Sequence, residues 1–421
     1  MNPFNERPMP LADTLMDWKQ IYPLPYDKRN VDPYTRTRVI LMNGTEFEAN
    51  WFSHQFSRHC TDNDLRRELA LLRRGEQQQQ KLISALKPKD ETLLEHTIGY
   101  EQLAVDLTAE LAKREPNKVV KDALDFALLE DFDHLYRYAD LLEMETGVYA
   151  ENLVGRYTEI MPGRPTISEH RCPFDDIRPY IDDKTDALET RLCVGIITAA
   201  EQQTMNYYMN VNGAYTSDLG RQLYQEIGMI EEQHVSHYGS LMDPRATWLE
   251  CLLMHQYTEA FLYWSCFKTE TDLHIRSVWQ LLLEQEISHL HKAAEMLERL
   301  EGKHYTQVVG EGAFPEPLQL RSNIDYVRGV LASSVQNTSM REGYADISTI
   351  PADADFFAYQ KKVNPTPDIV PSHLVIEKAI MKNGQDYRFE TQPNPIPELR
   401  DRRKDNITIG RAPEKVPAGA M

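Results

Sequence analysis

Cysteine is scarce and unpatterned in this chain: Cys60, Cys172, Cys193, Cys251 and Cys266 are scattered, and no two stand in C-x-x-C spacing. Zinc fingers and rubredoxin-type iron sites need paired thiolates, so neither is encoded. An odd, scattered set of thiols fits a reduced, cytoplasmic setting. Long apolar runs are also missing, and none approaches the roughly 20 residues of a membrane-spanning helix. The first residues, MNPFNERPMPLADTLMDW, lack the basic segment and apolar core of a secretory signal. Positive charge is in deficit, with 46 Lys and Arg against 65 Asp and Glu and a net charge of −19. That balance argues against nucleic acid and anionic membrane, which need clustered cations to neutralise phosphate. It suits a protein that attracts cations.

The 421 residues leave room for two or three domains, or for one helical body with long appendages. Residues 1–60 combine prolines, tyrosines and short apolar stretches such as RVILMNG without a sustained helical period. They are expected to form an irregular arm with room for one short strand pair. Residues 61–301 carry helical patterning, with Asp90, Asn117, Asp243 (followed by Pro244) and Thr271-Asp272 as expected helix starts. A connector at 146–183 contains MPGRPTISEHRCPFDDIRPYI, whose prolines and glycines exclude a long helix. Connections of that length are functional or cross the fold. Residues 302–421 form a proline-rich extension with two short helix-like runs, NIDYVRGVLASSV and SHLVIEKAIMKNG. It is expected to wrap the body or to assemble copies into a homo-oligomer, with its last twenty residues disordered.

Within the helical region one pattern recurs. A glutamate on one helix is answered, a hairpin later, by an acid-x-x-His pair: Glu101 with Asp131 and His134, Glu201 with Glu231 and His234, Glu259 with Glu286 and His289. The first two sets share a spacing of 30 residues from glutamate to acid, and the third has 27. Turns near the midpoints place each set's ligands at one level across its hairpin. Acid and histidine three apart share a helical face, so a carboxylate oxygen and an imidazole nitrogen can reach one metal. Two such hairpins supply four carboxylates and two histidines, a donor set that suits iron or manganese.

A lone Glu-x-x-His is weak evidence, as Glu301 with His304 illustrates: that pair straddles Gly302 and has no answering glutamate. The three hairpin sets differ because each has a partner acid, and Glu259 lies in a helix apolar on nearly every face. A buried, unpaired carboxylate would be costly there. His96, His237 and His255 lie near the ligand level and read as core histidines. Tyr100, Tyr207, Tyr208, Tyr257 and Tyr263 read first as core residues with satisfied hydroxyls. His170 and Cys172 stand in the connector within reach of a capping role. Glu232 reads as solvated, and the QQQQ run at 77–80 as a polar helix face.

The pattern resembles the ferritin-like superfamily, and within it the rubrerythrin-like proteins, whose helices read Glu, Glu-x-x-His, Glu, Glu-x-x-His. The resemblance covers roughly residues 90–301. It implies an all-α fold, a four-helix bundle holding two iron ions, or manganese, enlarged here by a third hairpin. Ligand quality pairs the second and third hairpins. Topology pairs the first and second, because only the 146–183 connector is long enough for the crossover of such bundles. The activity implied is a di-metal oxidoreductase acting on peroxide or dioxygen, with a separate electron donor if it works as a reductase. The alternatives are a metal-handling protein, or a structural protein with vestigial ligands.

Overall fold

The computed structural model describes residues 1–160, 162–164 and 166–384. It is all-α apart from one two-stranded hairpin. Eight long helices form the body: α1 (Pro33–His59), α2 (Asn63–Ala85), α3 (Leu93–Arg114), α4 (Lys118–Thr146), α5 (Leu188–Ala214), α6 (Asp218–Gly239), α7 (Trp248–Thr269) and α8 (Leu273–Glu301). None of the described helices is long and apolar enough to cross a membrane.

The helices start where side chains satisfy the free N–H groups of the first turn. Asp32, Asp62, Asn117 and Asp272 accept from the backbone at the starts of α1, α2, α4 and α8. Two expected starts shift. Thr92, not Asp90, caps α3, and Thr247, not Asp243, caps α7. In both, a glutamate three residues on, Glu95 or Glu250, returns a bond to the cap's own N–H. That reciprocal pair satisfies a first-turn donor and the cap's own N–H together.

The largest departure lies in the first 60 residues, where residues 33–59 are helix α1 rather than part of an irregular arm, and no strand pair occurs among the described residues there. Helix α1 packs against α2, α3, α5, α7 and so lies at the centre of the body. Over residues 33–50 no side of the helix is exposed, so it has no polar face there and its amphipathic signature disappears. Its charged residues are paired inside: Arg36 with Glu91 at 3.4 Å and Arg38 with Glu270 at 3.4 Å. Gly44 lies where α1 meets α5, and a Cβ there would come within 2.8 Å of Gln203. The glycine that weakens the helical reading of RVILMNG is what permits the close approach.

Four hairpins result, α1–α2, α3–α4, α5–α6 and α7–α8. Side chains join them into two sets of four. Helix α3 meets α5 and α4 meets α6, giving an inner set, with the 146–183 connector crossing between its hairpins. Helix α1 meets α7 and α2 meets α8, giving an outer set whose two hairpins flank the inner set in sequence. One hydrophobic core runs through both.

Among its described residues the connector carries only short turns of helix, at Ala150–Leu153, Thr166–Glu169 and Pro173–Asp176. Beyond Gly302 the chain is more regular than an irregular extension. It forms α9 (Ile324–Ser334), strands β1 (Asn337–Met340) and β2 (Gly343–Asp346), α10 (Asp355–Val363) and α11 (Pro371–Asn383). The strands pair antiparallel, Asn337 opposite Asp346 and Met340 opposite Gly343. Helices α9 and α11 match the two helix-like runs. Helix α11 covers α4 and α6, where the Ser372 N–H donates to Glu226 at 2.8 Å. The last twenty residues lie outside the described part.

One buried acid of the inner set yields a pH prediction. Asp106 on α3 accepts from Thr158 at 2.7 Å and Tyr34 at 3.1 Å, and burial pushes its carboxyl up to about 7. A folded pKa above the unfolded value of 3.8 means stability is fully present below that value and is lost as pH rises through 7. Asp106→Asn is therefore expected to raise the melting temperature at pH 8 by roughly 2–4 °C. Thermal denaturation should show the gain vanishing near pH 4.

Candidate metal centre

Glu101 projects from α3, Asp131 and His134 from α4, Glu201 from α5, and Glu231 and His234 from α6. All six are at most 1% exposed. Their ligand atoms fall into two groups, each with every atom within 4.8 Å of the others: Asp131, Glu201, Glu231 and His234 in one, Glu101, His134 and Glu231 in the other. Glu231 belongs to both. The first and second hairpins therefore share a site, and the pairing of second with third that ligand quality favours does not occur. The crossover decides it: the short 240–247 connection leads α6 straight into the outer set, while the long connector carries the chain between the inner hairpins.

The histidines are oriented the same way. His234 Nδ1 stands 3.2 Å from Asp131, 3.3 Å from Glu231 and 3.6 Å from Glu201, yet it has no well-formed hydrogen bond. Ligands held about 2.1 Å from one cation lie roughly 3.0–3.4 Å from one another. His134 Nδ1 faces Glu231 at 3.0 Å. Both oxygens of Asp131 and of Glu201, with one each of Glu101 and Glu231, are buried without a hydrogen-bond partner among the described residues. Buried carboxylates are ordinarily paired or bonded, so these oxygens point to a cation.

The outer nitrogens face further carboxylates that the sequence patterning did not single out. His234 Nε2 meets Glu130 at 2.7 Å, and His134 Nε2 faces Glu169 of the connector at 3.6 Å. Glu130 is bonded by Arg171 and lies 3.4 Å from Arg164. Arg137 binds Asp133 and grips Glu169 through both of its terminal nitrogens, at 2.7 and 2.8 Å. A carboxylate behind a ligating histidine fixes its ring and tautomer. The signal was present in the sequence as Glu130 beside Asp131 and as Glu169 and Arg171 flanking His170. His170 itself lies 3.5 Å from Glu226, away from the ligands.

Electrostatics agree with this arrangement. Burial and the neighbouring negative charges push Glu101, Glu201 and Asp131 above the usual carboxylate range. Burial also acts to raise Glu231, but the His134 and His234 imidazoles beside it override that and hold the carboxyl at about 2. Burial alone would lower both histidines, and the surrounding carboxylates instead raise them well above the ordinary value. Two divalent cations would balance the four carboxylates with both histidines neutral.

The remaining candidates, Tyr208 apart, separate from the site. His96 bonds Glu91 at 2.7 Å, His237 faces Tyr344 at 3.0 Å, and His255 pairs with Glu48 at 2.6 Å. Tyr208 donates to Glu101, and Tyr263 donates to Glu46 on α1. Tyr100 stacks on Tyr207 with ring centres 4.5 Å apart, and Tyr257 donates to the Ala313 carbonyl at 2.9 Å. Glu232 is exposed. Glu259, Glu286 and His289 lie in the outer set, apart from the other six.

Glu130→Gln is expected to weaken metal binding about 10–100-fold by loosening His234, measured by competition with a chelator of known affinity. Comparison with family models, with curated proteins and with solved structures gives no match for this chain, so the reading of the site rests on its own geometry.

Proposed function

We propose that the inner helix set holds two iron or manganese ions and works as an oxidoreductase on peroxide or dioxygen. The observation that carries this reading is Glu231, one carboxylate common to two ligand groups that are otherwise separate. A shared carboxylate is the mark of a dinuclear rather than a mononuclear site. Four carboxylates with two imidazoles suit iron and manganese better than the thiolate-seeking metals. The arrangement supports the resemblance to ferritin-like, rubrerythrin-like proteins. Two metals held by these residues would supply Lewis acidity and a shared change of electrons to an O–O bond.

The chain's own residues keep that chemistry dry and oriented. Glu130 accepts from the outer nitrogen of His234, which leaves the inner nitrogen free to ligate, and Glu169 faces the outer nitrogen of His134 from 3.6 Å. Tyr208 directs its hydroxyl to Glu101 and restrains that carboxylate. No paired-thiolate iron site occurs in the sequence, so reductive turnover would draw electrons from a separate donor. Peroxide disproportionation would need none. The test is peroxide or dioxygen consumption by protein loaded with iron or with manganese, with and without a reductant. Protein that holds two metals in the inner set and turns over neither substrate overturns the reading.

A further inference from the structure

The hairpin set left over from the inner site is not alone. Helix α1 presents Glu46 and helix α2 presents Glu76, again 30 residues apart, and three residues after Glu76 stands Gln79. The chain thus holds a fourth copy of the hairpin, with an amide where the others have imidazole. Opposite it, α7 presents Glu259 and α8 presents Glu286 and His289. All six side chains are at most 2% exposed.

We propose that the outer set is a second metal site, separate from the inner centre, holding one divalent, oxygen-preferring cation on Glu76, Glu286 and His289 with Glu259 completing the shell. The ligand atoms of Glu76, Glu286 and His289 lie within 4.8 Å of one another. Gln256 donates to Glu76 at 2.9 Å and to Glu259 at 2.8 Å, so these two carboxylates converge on one amide. His289 Nδ1 faces Glu286 at 3.2 Å. Independent of the cluster itself, one oxygen each of Glu46, Glu259 and Glu286 is buried without a hydrogen-bond partner among the described residues. Four buried acids with so few donors need a cation or protons.

The two halves of this set are unequal. One half has His289 with the carboxylates of Glu76, Glu259 and Glu286. The other has Glu46, whose carboxylate accepts from Tyr263, and Gln79, which donates to Glu286 at 3.3 Å. An amide oxygen is a neutral, weaker donor than imidazole for iron or manganese, so the outer set takes one cation tightly where the inner set takes two. Gly75 makes room for the histidine: a Cβ there would meet the His289 ring at 2.8 Å. A cavity of about 100 Å³ lined by Thr45, Met254, His255, Thr258 and Glu259 reaches the shell from the α5 side and offers the cation a way in.

The experiment is metal counting on the full chain loaded with manganese(II), freed of unbound metal and analysed by mass spectrometry. Wild type is expected to hold about three equivalents, two inner and one outer. Glu286→Gln should lose one while Glu231→Gln keeps the outer one, which separates failure of this site from failure of the inner reading. Gln79→His restores the imidazole of the other three hairpins and should add one equivalent, a gain that misfolding cannot imitate. Unchanged metal content in both Glu286→Gln and Gln79→His, with helical circular dichroism intact, overturns the proposal.

Discussion

Glu231→Ala is expected to empty the inner site and to abolish turnover of peroxide or dioxygen, while Glu232→Ala, one residue away on an exposed face, leaves both intact. Glu231 is the carboxylate common to the two ligand groups, so its loss removes a donor from both positions at once. It also orients both histidines, through His134 at 3.0 Å and His234 at 3.3 Å. No neighbouring carboxylate can replace it, because Asp131 and Glu201 already belong to one group and Glu101 to the other. Binding a ligand to the folded state alone stabilises it by about 4 kcal/mol at 1,000 times Kd. The melting-temperature gain that wild type shows on adding metal should therefore shrink sharply in Glu231→Ala. Metal content, turnover and that thermal shift are three separate readouts of one substitution. Retention of the inner metals by this variant would remove the basis for a dinuclear centre.

The legible part of the molecule was the part in which function and helical period coincide. Glu201, Glu231 and His234 announce themselves because acid-x-x-His and the 30-residue spacing are both visible in the sequence. The fourth hairpin hides for two physical reasons. Helix α1 is buried or half-buried on every side from Pro33 to Asn50, so that stretch has no amphipathic rhythm, and its β-branched run before Gly44 imitates a strand. Helix α2 carries Gln79 where a histidine would have flagged it, inside a run of glutamines that looks like ordinary polar surface. Yet Gln79 is fully buried against Glu286, and Glu46 to Glu76 repeats the same interval. The pairing of hairpins was not legible from ligand quality at all. It follows from connection lengths, which carry the chain through the complete inner set before the outer set can close.

The buried charges behind the ligands set the second large effect. Arg137 is fully buried and holds both oxygens of Glu169, together with Asp133 and the Ser372 hydroxyl at 3.3 Å. It thereby ties α4 to the connector and to α11. Arg137→Leu fills the space but strands two carboxylates in a dry interior, a loss expected to cost about 3–5 kcal/mol. Asp133 keeps one bond, from the Gly163 N–H at 2.7 Å, which is a dipole rather than a charge. Chemical denaturation of metal-free protein should show this destabilisation directly. Because the penalty is one of unpaired charge, Arg137→Leu combined with Glu169→Gln should recover part of it, giving less than the sum of the single effects. Metal affinity should behave differently. Either single variant disturbs the carboxylate behind His134, so each should weaken the inner site about 10–100-fold, and the double variant should recover none of that. Stability restored without affinity would separate the role of Arg137 in neutralising Glu169 from the role of Glu169 in holding the His134 ring.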